Sequence, residues 1–70
     1  MNKKELRKMI KDKGDGYCIF AKRCGILPFY FILKLYGIGE FRLWEIKNII
    51  HFLNLNEETA EAIFFDIKVS

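Results

Sequence analysis

Apolar residues recur along the chain at steps of three and four, the spacing that gathers side chains on one face of an α-helix. Leu6, Met9 and Ile10 form the first such stripe, and Asn2 followed by Glu5 supplies an N-cap with a capping-box partner. Gly14 stops that helix. Asp15 or Gly16 opens a second, from Tyr17 to Cys24, with Phe20 and Ala21 turned inward. Gly25 makes the next turn, Pro28 takes the first position of a third helix that runs to about Tyr36, and Gly37 ends it. The segment from Gly37 to Phe41 reads as a loop. A fourth helix follows from about Leu43 to Leu53, with Leu43, Ile46, Ile49, Ile50 and Leu53 spaced to face a core. Asn54 and Asn56 read as a helix stop and a helix start. Glu57 and Glu58 suit the positive end of a fifth helix, whose buried stripe is Ala60, Ile63 and Phe64. No segment alternates with the period of two that a strand requires. The pattern predicts an all-α, five-helix chain, with residues 1–70 forming a single domain.

Composition supports a packed chain. Of the 70 residues, 51% are hydrophobic, 16% aromatic and 30% charged, a mixture richer in apolar groups than disordered segments carry. At this length folding buries only about 60% of the unfolded surface, so the core must be compact. Cys18 and Cys24 stand six apart in one helix, on largely different faces, where they cannot bridge. A reducing, cytoplasmic setting is expected from them. No small-residue cleavage site follows an apolar run near the start. The most apolar stretch, Gly25 to Gly39, carries Pro28 and Lys34 and is shorter than the roughly 20 residues of a membrane span. The net charge of +3 is modest, but Lys3, Lys4, Arg7, Lys8, Lys11 and Lys13 crowd the start while Glu57, Glu58 and Glu61 lie near the end. Such a gradient is ordinarily a solvated face, and it can also draw nucleic acid or an acidic partner.

The second and third helices, each about eight residues long and joined by a short glycine-bearing turn, have helix-turn-helix proportions. Phe20-Ala21-x-x-Cys24-Gly25-Ile26, then Phe31-x-x-Lys34-Leu35-x-Gly37, then Glu40-Phe41-x-Leu43-x-Glu45-Ile46 sharpen the match. Over nearly its whole length the chain resembles the small Cro/repressor-like DNA-binding proteins of Gram-positive phages. That resemblance implies a helix-turn-helix inside a five-helix bundle and, for a typical member, sequence-specific DNA binding as a transcriptional regulator. The chain departs from it in one region. Leu27 stands where the family carries a capping Ser or Thr, Gly16-Tyr17 replaces a Thr-Gln pair, and the polar outer side of the third helix has become Phe29, Tyr30, Ile32, Leu33 and Tyr36.

Base reading needs Arg, Lys, Asn or Gln at groove-facing positions, and backbone contacts need cations or polar groups. Lys34 is the one cation the sequence offers on the third helix, so DNA binding through it is disfavoured. Ile26, Phe31 and Leu35 already supply an inward side, and an aromatic and aliphatic surface is left over. Tyr17, Phe29, Tyr30, Ile32, Leu33, Tyr36, Ile38 and Trp44 form the expected contact set, with Phe29, Tyr30, Leu33 and Trp44 as anchors. The expected function is a non-enzymatic protein-binding module, the family scaffold having exchanged its DNA face for a protein face by divergence or by engineered interface design. Another protein is the expected partner, with a homodimer compatible. A DNA-binding phage regulator whose basic first helix holds phosphates is the alternative. Membrane-surface binding ranks lower, because the cations and the apolar face lie on different helices.

Other chemistry is sparse. His51 has no second ligand at metal spacing, Cys18 has no base beside it and reads as packed or interfacial, and Asp12 and Asp15 lack the ligand series of a calcium loop. Gly37-x-Gly39 is too short to cradle a phosphate. No catalytic residue, cofactor or metal is expected.

Overall fold

A computed structural model describes residues 1–65 and contains five helices: α1 (Lys3–Asp12), α2 (Gly16–Cys24), α3 (Pro28–Leu35), α4 (Leu43–Leu53) and α5 (Glu57–Phe64). Among the described residues there is no strand. The helix starts follow the polar side chains. Asn2 Oδ1 accepts the Glu5 N–H at 3.1 Å, and Asn56 Oδ1 accepts the Thr59 N–H at 2.7 Å. The reciprocal half of the box expected from Glu5 is replaced, because the Asn2 N–H donates to the Ile63 carbonyl at 2.7 Å. One backbone bond thereby ties the start of α1 to α5.

The helix ends follow the left-handed residues. At Gly25 (φ 78°) and Gly37 (φ 91°) the chain turns through a conformation that a Cβ would strain. In each case the residue after the glycine bonds back into the helix, Ile26 N–H to the Ala21 carbonyl and Ile38 N–H to the Leu33 carbonyl, both at 2.9 Å. Asn54 (φ 54°) performs the same service for α4, where the Leu55 N–H reaches the Ile50 carbonyl.

Each helix adds one buried stripe to the core: Leu6 and Ile10, Phe20 and Ala21 with Cys24, Phe31 and Leu35, Ile46 with Ile49 and Leu53, and Ala60 with Ile63 and Phe64. Phe31 lies at the centre. Its ring centroid is 5.8 Å from that of Phe20 and 5.7 Å from that of Phe41, both inclined, the arrangement that ring quadrupoles favour. Phe41 enters this core from the loop before α4. Two expectations for α4 are corrected. Leu43 is exposed, because at 100° per residue it lies about 90° from the centre of the arc set by the buried Ile46, Ile49 and Leu53, and Ile50 is half-buried at the margin of the core.

Polar links then fix α3. Lys34 Nζ on α3 donates to both carboxylate oxygens of Glu45 on α4, at 2.8 and 2.9 Å. Glu45 is buried (2% exposed), and its Oε1 also accepts the Arg42 N–H at 2.7 Å, so the same carboxylate caps α4. Arg7 on α1 donates from Nη1 to the Leu35 carbonyl at 2.7 Å, and Asn48 Nδ2 on α4 donates to the Cys24 carbonyl at 2.9 Å. The orphan carbonyls at the ends of α2 and α3 thus receive donors from other helices.

Candidate docking face on α3

With Phe31 and Leu35 inward, the 100° step per residue puts Phe29, Ile32, Leu33 and Tyr36 on the opposite side, at i, i+3, i+4 and i+7. The structure exposes both ends of that stripe, Phe29 at 69% and Tyr36 at 59%, and half-buries Ile32 and Leu33 between them. Tyr30, on the flank, is exposed and meets Phe29 edge-on with ring centroids 5.9 Å apart. Ile38, exposed beyond the end of α3, is held by its backbone bond to Leu33. Trp44, 48% exposed, has its ring edge 4.0 Å from where a Cβ on Gly25 would sit, so it lies over the turn between α2 and α3.

Of the expected contact set, Phe29, Tyr30, Tyr36, Ile38 and Trp44 are exposed. Tyr17 is half-buried and packs against the core, which leaves only part of it for contact. Leu33 is too covered to act as the fully outward anchor that spacing suggested. Leu27 and Leu43, both exposed, extend the surface at the starts of α3 and α4. Leu27 was legible as an apolar residue without a core partner. Leu43 was not, because its spacing from Ile46 and Ile50 is that of a core stripe, although Ile49 and Leu53 set the buried arc.

The charge on this face also differs from expectation. Lys34, read as the cation on the outer side, is drawn inward to Glu45 with only 18% of its side chain accessible. Arg7 stands over one of the exposed rings. Its guanidinium carbon stands 4.8 Å from the Tyr36 centroid while its Nη1 is committed to the Leu35 carbonyl. The outer side of α3 therefore offers hydrocarbon, two phenol hydroxyls and, from Trp44, one indole N–H. Four rings of roughly 200 Å² each, three of them more than half exposed and Trp44 nearly so, together with Leu27, Ile38 and Leu43, make an apolar surface on the order of 600 Å².

Outside this face the chemistry is thin. Cys18 is exposed rather than packed, and Cys24 is buried, which pushes its thiol up to about 11 and keeps it neutral. His51 is exposed, with its ring edge-on to Phe52. No group of three His, Cys, Asp or Glu among the described residues could hold a metal ion. A cleft of about 400 Å³ is lined by Met1, Lys3, Glu40, Phe41, Ile46 and Phe64. Lys4, Lys8 and Lys11 line the exposed side of α1, opposite Leu6 and Ile10. No helix among the described residues is long and apolar enough to cross a membrane. No family model, no curated protein and no solved structure matches the chain.

Proposed function

We propose that this chain is a non-enzymatic protein-binding module, a repressor-like helix-turn-helix scaffold that docks on another protein through the outer side of α3. One observation carries the reading: the exposed rings stand together on α3 and its flanks while the helix's own cation is withdrawn into the bridge with Glu45. Aromatic side chains bury large areas at low conformational cost, and their polar tips satisfy acceptors at an interface. A rigid helix presenting anchors at i, i+3, i+4 and i+7 suits a hydrophobic partner surface. The scaffold reading is supported by two short helices joined through Gly25, with Phe20, Ala21, Phe31 and Leu35 packed between them and the rest of the bundle.

A second reading, DNA binding, is favoured by the lysine row on α1 and the +3 net charge. The two are separated by titrating a mixed-sequence duplex against the chain at low and moderate salt. A protein-docking face predicts only the weak association of a few phosphate contacts, unchanged when Phe29→Ser and Tyr30→Thr are combined. Tight, salt-sensitive duplex binding that is lost when Lys4→Ala, Lys8→Ala and Lys11→Ala are combined would favour the DNA reading instead.

A further inference from the structure

We infer that the protein on the α3 face is a second copy of this chain, docked as a two-fold symmetric pair with the two α3 helices antiparallel. The inference rests on the docking reading above and adds its occupant. The first argument is register. Phe29, Ile32, Leu33 and Tyr36 form a stripe whose halves mirror each other, an aromatic ring at each end and two aliphatic side chains between. A two-fold axis between Ile32 and Leu33 sets Phe29 of either copy against Tyr36 of the other and brings the aliphatic pairs together at the centre. Symmetric pairing requires this kind of self-complementary patch. Antiparallel helices also place opposite dipole ends side by side.

The second argument is charge. In a symmetric interface a charged group near the axis meets its own copy, and both would be desolvated. Here the outer side of α3 carries no formal charge, because Lys34 is bound to Glu45, and Arg7 at the margin is already engaged by the Leu35 carbonyl and the Tyr36 ring. The third argument is area. An apolar surface on the order of 600 Å² from each copy reaches the roughly 1,200 Å² at which specific interfaces begin. Homodimer interfaces are more apolar than transient hetero-complexes, which are about as polar as ordinary surface, and the outer side of α3 is apolar.

Sedimentation equilibrium of the full chain over a concentration series tests this. The expected result is a monomer–dimer equilibrium weakened on the order of a hundredfold or more by Phe29→Glu, since each dimer carries the change twice at an anchor position. Ile19→Ser, at a comparably exposed apolar residue on α2, leaves the equilibrium unchanged. Helix content by circular dichroism confirms that the variants fold, and Tyr36→Glu is read in place of Phe29→Glu if that variant loses helix. A chain that stays monomeric throughout, or a dimer that survives the α3 variant, overturns the inference. A monomer whose stability is unaffected by Phe29→Ser with Tyr30→Thr assigns the face to a different protein, whereas a monomer that this double variant unfolds removes the docking reading as well.

Discussion

Glu45→Ala lowers the free energy of unfolding by about 3 kcal/mol, measured by urea denaturation, although Glu45 lies in no catalytic or binding constellation. The carboxylate is buried, accepts two bonds from Lys34 Nζ and one from the Arg42 N–H, and joins α3 to α4. Its removal strands a largely desolvated ammonium and an uncapped helix start. The low end of the range for broken buried pairs applies, because the Lys34 side chain retains some access to water. Glu45→Gln keeps an acceptor for Arg42 and the shape of the side chain, and so costs about half as much. Lys34→Met combined with Glu45→Leu recovers much of the loss, since the pair stabilises chiefly by each charge compensating the other. The bridge also matters for the face. A Lys34 freed from Glu45 can swing toward Tyr30, one helical turn away, and bring a cation beside an apolar contact surface.

Phe31→Ala costs about 4 kcal/mol, the largest effect expected from truncating a single α3 side chain. The ring is fully buried, packed against Phe20 of α2 and Phe41 of the loop before α4, so its removal leaves a cavity at the centre of the core. A chain of this length has a total stability of about 4–10 kcal/mol, so the variant gives up between roughly two-fifths and all of it. Thermal unfolding followed by circular dichroism reads this as a strongly lowered and broadened transition.

The helix plan was legible because its punctuation is local. Asn2, Gly25, Pro28, Gly37, Asn54 and Asn56 act through their own backbone dihedrals or through bonds within four residues, and each sits where the sequence placed it. The exposed side of α3 was legible for a related reason: Phe31 and Leu35 use up its inward arc, and helical geometry sends Phe29 and Tyr36 the other way. What periodicity could not show are contacts made across the loop and between helices. Lys34 reaches Glu45 eleven positions on, Arg7 reaches Leu35 from another helix, and Phe41 folds back from a loop to pack on Phe31. Leu43 fails in the opposite sense. Its spacing matches Ile46 and Ile50, but the fully buried arc of α4 is set by Ile46, Ile49 and Leu53, and at 100° per residue Leu43 lies about 90° from the centre of that arc. Spacing assigns a side chain to an arc of its helix. How wide an arc the neighbouring elements cover is decided by tertiary packing.

Phe29 and Tyr30 face outward although they share an eight-residue helix with the buried Phe31, and docking through α3 depends on it. The most direct measurement is the unfolding free energy of the variant combining Phe29→Ser and Tyr30→Thr, taken at protein dilutions where association is negligible. A value within about 0.5 kcal/mol of the parent is predicted, as for surface residues without core contacts. A loss of about 3 kcal/mol or more, the cost of emptying core positions, would contradict it.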